Sequence, residues 1–164
     1  MSRQHIISML LENESGALSR VAGLFSARAY NIESLTVAAT LDPSLSRLTL
    51  VTVGSDGKVE QIIKQLNKLV DVVKLIDLSE SFSLERELSL VKVKESDAIR
   101  SKIDALGEDC LASITDETDG YLVIELSGEK AWMDEFLMSI AGEVIEVVRS
   151  GVIGLSRGER SLTL

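Results

Sequence analysis

The chain has 164 residues, of which 45% are hydrophobic and 26% are charged, and its formal net charge is −9. That apolar content is too high for a disordered acidic chain. The sequence contains no uncharged run of about 18 apolar residues, so no membrane-spanning helix is predicted. The negative charge argues against a nucleic-acid partner. Residues 1–8 lack a secretory cleavage pattern, and a single cysteine fits a reducing compartment. We therefore expect a cytoplasmic protein whose partners include neither nucleic acid nor membrane.

Residues 1–78 show the hydrophobic periodicities of strands and helices in alternation. Short apolar or β-branched runs predict strands over residues 6–11, 32–37, 48–53 and 72–76. Apolar residues at steps of three and four predict one helix from Ala17 and a second around Val59. Ser15 or Asn13 is the expected cap of the first helix. The predicted order is β-α-β-β-α-β.

The second half repeats this order with little residue identity to the first. The predicted strands cover residues 88–93, 111–115, 121–126 and 144–148. One predicted helix carries Ile99, Ile103 and Leu106 and is stopped by Gly107. The other predicted helix carries Trp132, Phe136, Leu137 and Ile140. Residues 151–164 form a tail without clear periodicity.

The charge distribution indicates where the two halves meet. Residues 1–78 carry 8 basic and 8 acidic side chains, whereas residues 79–164 carry 9 basic and 18 acidic ones. Together with a short polar stretch at 79–81, this predicts an α+β protein of two ferredoxin-like βαββαβ domains, residues 1–78 and 79–164. Such a fold leaves one sheet face open, and a domain of this size buries little surface, so we expect at least a dimer.

The residue types that perform catalysis are sparse. His5 is interpreted as an exposed histidine at the end of a strand, and Cys110 as a buried structural thiol. The acidic cluster Asp116, Glu117 and Asp119 lacks the spacing of a calcium loop and is interpreted as a solvated turn. No nucleotide-binding or metalloprotease motif is found. We expect no catalytic residues and no metal site.

The segment between the first strand and the first helix is more informative. The leading amides of a helix lack internal partners and lie at its positive end, so they can hold an anion. Gly16 would permit close approach, and Asn13 and Asn31 could hold a carboxylate or an ammonium group. An ordinary capped turn is the alternative, and the residues alone do not exclude it.

Several segments resemble one known family, the ACT domain of the acetohydroxyacid synthase (acetolactate synthase) small subunit. Asn13-Glu14-Ser15-Gly16 lies within the longest of these motifs. The resemblance is carried by residues 11–21, 23–26, 30–37, 45–47, 65–72, 85–88, 90–93 and 149–158. It covers nearly the full chain, although residues 95–140 fit the family only in general pattern.

The resemblance implies a non-catalytic regulatory subunit that activates a thiamine-diphosphate-dependent catalytic large subunit and confers feedback inhibition by valine. In that family valine binds between two ACT domains of a homodimer. The implied valine-binding residues are Asn13, Gly16, Ala17 and Leu18, with Asn31 and Ile32 across the interface. No cofactor is expected on this chain; thiamine diphosphate, Mg and FAD are expected on the catalytic subunit.

Two other classes of function remain open at this stage. One is a free-standing ACT-type amino-acid sensor without an enzyme partner, and the other is an enzyme that uses acidic residues of the second domain. Residues 149–158, which contain Gly151, Gly154 and Gly158, allow two interpretations. They could contact the catalytic subunit, or they could form a flexible terminus.

Overall fold

The computed structural model describes residues 2–79, 83–106 and 111–164. The chain divides into two compact units. Unit 1 comprises Met1–Leu84 together with Val152–Leu164, and unit 2 comprises Glu85–Gly151. Both units have the predicted βαββαβ order, so the α+β, ferredoxin-like fold class is confirmed.

Unit 1 is a four-stranded antiparallel sheet with two helices. Its elements are β1 (Arg3–Glu12), α1 (Ala17–Ala27), β2 (Ser34–Ala39), β3 (Leu45–Gly54), α2 (Asp56–Leu66) and β4 (Val72–Asp77). The strand order is β2-β3-β1-β4, so β2 is an edge strand. The strand predicted over 32–37 begins only at Ser34, which leaves Asn31 and Ile32 in the connection between α1 and β2.

The main core of unit 1 lies between the sheet and its helices. Alternate residues of β1, including Ile7 and Met9, face the helices because successive strand side chains point to opposite faces. From the helical side, Val21 and Phe25 of α1 and Ile62 of α2 complete this core. The step of three or four between apolar residues therefore places one helical face on the sheet.

The opposite face of this sheet is partly covered by the C-terminal segment. Val152 and Leu162 are buried against Ile6, Leu10, Val51, Ile76 and Leu78. Lys74 Nζ also donates to Thr163 O at 2.6 Å. The expectation of a fully open sheet face is therefore wrong for unit 1, because the tail supplies apolar side chains that bury there.

Unit 2 has the same architecture with a smaller core. Its elements are β5 (Ser83–Lys94), α3 (Asp97–Asp104), β6 (Leu111–Thr118), β7 (Tyr121–Gly128), α4 (Lys130–Ser139) and β8 (Val144–Arg149). The strand order is β6-β7-β5-β8. Val91 and Val93 of β5 pack with Ile99, Met133 and Phe136 from the helices. The predicted stop at Gly107 lies outside the described residues.

The units differ from the expected domains 1–78 and 79–164 at the C-terminus. The segment Val152–Leu164 groups with unit 1, although the expected division assigned it to the second domain. It contains a further strand, β9 (Ile153–Ser156), where no periodicity had predicted one. The reason is physical: Val152 and Leu162 are too far apart in sequence to form a periodic pattern, and they become buried only through contacts with the first domain.

Candidate functional site

The connection from β1 to α1 turns at Gly16. This residue has φ +91°, a left-handed conformation that glycine adopts without steric cost. It is also the N-cap of α1, and no side chain caps the helix, so the expected cap by Ser15 or Asn13 is wrong. The left-handed turn at Gly16 ends the loop, and the helix starts at Ala17 with Arg20 N donating to Gly16 O at 2.9 Å.

The first backbone amides of α1 are only partly hydrogen-bonded. Ala17 N donates to Glu14 O at a long 3.3 Å. Within the residues that the structure describes, the Gly16 and Leu18 amides have no hydrogen-bond acceptor. The Leu18 side chain is 43% exposed beside them. The start of α1 therefore offers donors at the positive end of the helix dipole, as the sequence predicted.

An arginine lies next to this loop, which the sequence analysis did not anticipate. Arg20 donates from Nε to Asp71 Oδ2 and from Nη2 to Asp71 Oδ1, each at 2.5 Å. A Cβ at Gly16 would lie 2.8 Å from Arg20 Nη1, so the guanidinium is adjacent to Gly16. The side chain remains 46% exposed, and its charge therefore acts on the same space as the α1 amides.

Asp71 holds the Arg20 guanidinium in place through these two hydrogen bonds. Its side chain is 3% exposed, and its backbone oxygen accepts a hydrogen bond from Glu12 N at 2.9 Å. The hydrogen bonds from Arg20 hold the pKa of the Asp71 carboxyl below its ordinary value, and they raise the pKa of Arg20. A periodic pattern could place Arg20 one turn after Gly16, but nothing local indicated Asp71, which is 51 residues away.

Asn13 connects the same loop to the turn between β2 and β3. Its Nδ2 donates to Pro43 O at 3.0 Å, and its Oδ1 accepts from Ser46 Oγ at 3.1 Å. Its backbone amide donates to Ser44 O at 2.7 Å. The structure therefore places Asn13 beside the predicted site, but its side chain already holds the loop in place.

Asn31 and Ile32 lie at the other end of the unit 1 sheet. The register pairs Ser34 with Val51 and Val51 with Ile6, whereas the site follows Glu12 at the far end of β1. Six residues of β1 span about 20 Å at the usual rise of ~3.3 Å per residue. Asn31 O accepts from Thr52 Oγ1 at 2.6 Å, which fixes this connection. A single chain therefore does not bring Asn31 to Gly16.

His5 differs from its sequence interpretation. It is 1% exposed, so the expectation of an exposed strand-end histidine is wrong. Its Nε2 lies 3.4 Å from Asp56 Oδ1 and its Nδ1 lies 3.7 Å from Asp77 Oδ2. Among the residues that the structure describes, neither ring nitrogen has a hydrogen-bond partner. β1 lies between β3 and β4 in the sheet, and this position buries His5 although His5 is close to the start of the chain.

The other residues considered as catalytic or metal-binding candidates do not form such a site in the described part of the chain. Asp116, Glu117 and Asp119 are exposed at the β6–β7 turn, where Glu117 Oε1 pairs with Arg100 Nη2 at 2.6 Å. Cys110 lies outside the described residues. Across residues 2–79, 83–106 and 111–164, no group of three or more His, Cys, Asp and Glu side chains could hold a metal ion. No helix in the same ranges is long and apolar enough to cross a membrane.

Residues 149–158 are packed and belong to both units. Arg149 Nη2 pairs with the buried Glu87 at 2.6 Å, and Arg149 Nη1 pairs with Asp134 at 2.6 Å, which makes Arg149 a structural residue of unit 2. In unit 1, a Cβ at Gly154 would lie 2.6 Å from Leu78 Cδ1, so only glycine fits there without displacing Leu78. The alternative of a flexible terminus is therefore wrong for this segment.

The fold and the β1–α1 junction define the class of the first unit, which is an ACT domain. Residues 7–74 match the model described as "AHAS small subunit-like ACT domain", and residues 86–158 match "Small subunit of acetolactate synthase". The chain belongs to the acetolactate synthase small-subunit family. Membership of this family confirms the expectation of a non-catalytic subunit.

Named relatives match along nearly the whole chain. The acetolactate synthase isozyme 3 small subunit of Escherichia coli is 50% identical, with coverage of 96% of this chain and 98% of that protein. The probable small subunit of Methanothermobacter thermautotrophicus is 41% identical over 96% and 95% of the two chains. The crystal structure of the small subunit from Thermotoga maritima is 33% identical and superposes with a TM-score of 0.84, covering 96% of this chain and 99% of that one.

Proposed function

We propose that this chain is the regulatory subunit of acetohydroxyacid synthase. It binds and activates a thiamine-diphosphate-dependent catalytic large subunit, and it makes that subunit subject to inhibition by valine. The names of the relatives, which are small subunits of acetolactate synthase, support the partnership. Thiamine diphosphate, Mg and FAD belong to the catalytic subunit in this proposal, and the complex works in the cytoplasm.

The observation that carries the valine site is the uncapped start of α1. The valine carboxylate accepts hydrogen bonds from the amides of Gly16, Ala17 and Leu18, where a helix favours an anion. Arg20 adds a positive charge beside Gly16, and its pairing with the buried Asp71 limits its movement. A charge-assisted hydrogen bond is about twice as strong as a neutral one, so these donors favour a carboxylate over a neutral ligand.

A homodimer completes the site through β2. As the edge strand of this sheet, β2 can be extended by antiparallel pairing with the β2 of a second copy. In such a two-fold pairing, Ser34 of one copy faces the Ala39 end of the other, and that end lies near Glu12 and the β1–α1 loop. Asn31 and Ile32 of one protomer then approach Gly16 of its partner, which explains their separation within one chain.

The roles of the two asparagines differ in this arrangement. Asn13 Oδ1 already accepts from Ser46, so it receives the valine ammonium as a second bond or only holds the loop. The Asn31 side chain has no hydrogen bond to any residue that the structure describes, and it is exposed. Asn31 is therefore the better acceptor for the ammonium, while Leu18 and Ile32 contact the isopropyl group.

Selectivity follows from the size of the apolar part. Valine exceeds alanine by two carbon atoms, which contribute roughly 0.8 kcal/mol each when buried. Discrimination against leucine depends on pocket size and is worth about 1–3 kcal/mol. Inhibition further requires that valine bind one arrangement of the dimer more tightly than another, and a coupling of about 1–3 kcal/mol suffices.

The test combines binding with activity. The purified chain is titrated with valine by calorimetry, and the mixture with the catalytic subunit is then titrated while pyruvate condensation is followed. The proposal requires saturable binding by the chain alone, a higher rate in its presence, and loss of that increase at the same valine concentration. If the chain binds valine but neither associates with nor activates the catalytic subunit, it is a free-standing sensor.

A further inference from the structure

A cavity lies on the unit 1 sheet, on the face opposite its helices. It has a volume of about 540 Å³. Its walls include Leu10 of β1, Ala38 of β2, Leu41 of the β2–β3 turn and Leu162 of the C-terminal segment. This volume lies within the range of ~300–1,000 Å³ that is usual for sites of organic molecules.

Arg47 of β3 supplies the positive charge of this cavity. The register places it between Leu10 and Ala38, with all three side chains on the same face of the sheet. Arg47 Nε donates to Ser8 Oγ at 3.0 Å, and Nη2 donates to Gly154 O at 3.1 Å. These two bonds hold Nε and Nη2 in place, and Nη1 has no hydrogen bond to any residue that the structure describes.

Both acceptors of Arg47 are neutral. Within the ranges 2–79, 83–106 and 111–164, no carboxylate forms an ion pair with this guanidinium. The acidic residue of the cavity, Asp42, accepts hydrogen bonds from Ser44 N at 2.9 Å and Ser44 Oγ at 2.6 Å within its own turn. Burial lowers the pKa of Arg47, since its charge loses water without gaining an anion.

We propose that this cavity binds an aliphatic monocarboxylate. The carboxylate pairs with Arg47, which supplies the missing anion for a half-buried cation, and the hydrocarbon chain lies along Leu10, Leu41 and Leu162. Inorganic anions would leave the apolar walls in contact with water, and neutral apolar molecules would leave the charge of Arg47 unpaired. The two features together therefore select an amphiphilic anion.

This site is separate from the valine site. None of its lining residues belongs to the loop 13–16 or to α1, and Leu10 faces away from the helices that Met9 and Leu11 contact. Binding here can therefore be measured in the presence of saturating valine. A failure of one proposal leaves the other unaffected.

The test is a calorimetric titration of the full chain with octanoate, with 1-octanol as the uncharged analogue of equal chain length. We expect saturable binding of octanoate and a loss of about tenfold or more in affinity for 1-octanol and for the variant Arg47→Met. Arg28→Met is the matched control: Arg28 is the exposed C-cap residue of α1, and its Nη2 donates to Gln65 Oε1 at 3.3 Å. It should bind octanoate as the parent does.

A second variant keeps the test valid if Arg47→Met does not fold. Ala38→Trp fills the cavity beside an intact Arg47, and circular dichroism shows whether each variant is folded. We expect Ala38→Trp to lose octanoate binding. The proposal is overturned if the parent shows no saturable binding, if 1-octanol binds as tightly as octanoate, or if folded Arg47→Met or Ala38→Trp binds like the parent.

Discussion

The first helices of the two units occupy the same place in the same fold, but they start differently. In unit 1, α1 starts at the left-handed Gly16, and no side chain among the described residues caps it. In unit 2, α3 starts at Ser96, whose Oγ accepts from Ile99 N at 3.2 Å. Asp97 adds a negative charge to the first turn of α3, whereas α1 has Arg20 beside its first turn.

Under the proposed function, the starts of α1 and α3 serve different purposes. In α3 the protein itself satisfies an amide and balances the helix dipole, which stabilises the helix but leaves no place for an anion. At the start of α1, the Gly16 and Leu18 amides have no acceptor among the described residues, and Arg20 lies beside them. An effector carboxylate is therefore expected in unit 1 and not in unit 2.

The largest expected effect comes from Gly16→Asp. A carboxylate at this position occupies the place of the valine carboxylate and repels it, which costs several kcal/mol and lowers affinity by about a hundredfold or more. Calorimetry with valine measures this loss. Activation of the catalytic subunit should persist, because the substitution changes the effector site alone.

The control for that substitution is Gly120→Asp. Gly120 has φ +79° in the β6–β7 turn, and a Cβ there meets nothing within 4 Å. Gly120→Asp therefore introduces the same kind of backbone strain and the same charge as Gly16→Asp, but in unit 2. Gly120→Asp should bind valine like the parent; an equal loss in both variants would mean that strain, not position, weakens binding.

Asn31→Ala tests the part of the valine site that the proposed dimer would supply. Loss of one charge-assisted hydrogen bond to the valine ammonium is expected to cost about 1.5–3 kcal/mol. The affinity measured by calorimetry should fall accordingly, whereas the exposed Asn67→Ala should leave it unchanged. If Asn31→Ala binds valine as tightly as the parent does, Asn31 only forms part of the α1–β2 connection and does not contact valine.

Ser96→Ala tests the capped helix. Removal of the Oγ acceptor leaves Ile99 N without its partner and should lower the stability of unit 2 by about 1 kcal/mol. The protein has one tryptophan, Trp132 in α4, so urea unfolding followed by its fluorescence reports on unit 2. Ser101→Ala is the control within unit 2, since Ser101 is an exposed residue inside α3 and does not cap it.

The smallest effect concerns pH. Arg20 holds the pKa of Asp71 below its ordinary value, so this carboxylate stabilises the folded state above its unfolded pKa. The contribution is lost as the pH falls through the folded pKa, because the folded state then binds the proton that it had excluded. Urea unfolding from pH 6 to pH 3 should therefore show a shallower decline for Asp71→Asn; identical slopes would refute this role.

The local parts of the fold could be predicted from the sequence, and the long-range parts could not. Spacing of apolar residues such as Val21 and Phe25 was enough to predict α1, because a helix places residues three and four apart on one face. The burial of Leu162 on the unit 1 sheet could not be predicted, because its partners Ile6 and Leu10 lie far away in sequence.

The candidate site shows the same limit. Gly16 and the leading amides of α1 are close in sequence, so their role could be argued from the motif alone. The pair of Arg20 with Asp71 required the fold, and the engagement of Asn13 with Pro43 and Ser46 required the β2–β3 turn. The proposed approach of Asn31 to this site depends on a second copy of the chain.

The most direct test of the valine site is a crystal structure of the protein grown with valine. We expect one valine at each α1 start, with its carboxylate within hydrogen-bond distance of the amides of residues 16–18 and its ammonium facing Asn31 of the other protomer. Valine bound at α3 or elsewhere, or an α1 start without valine at saturating concentration, would contradict this expectation.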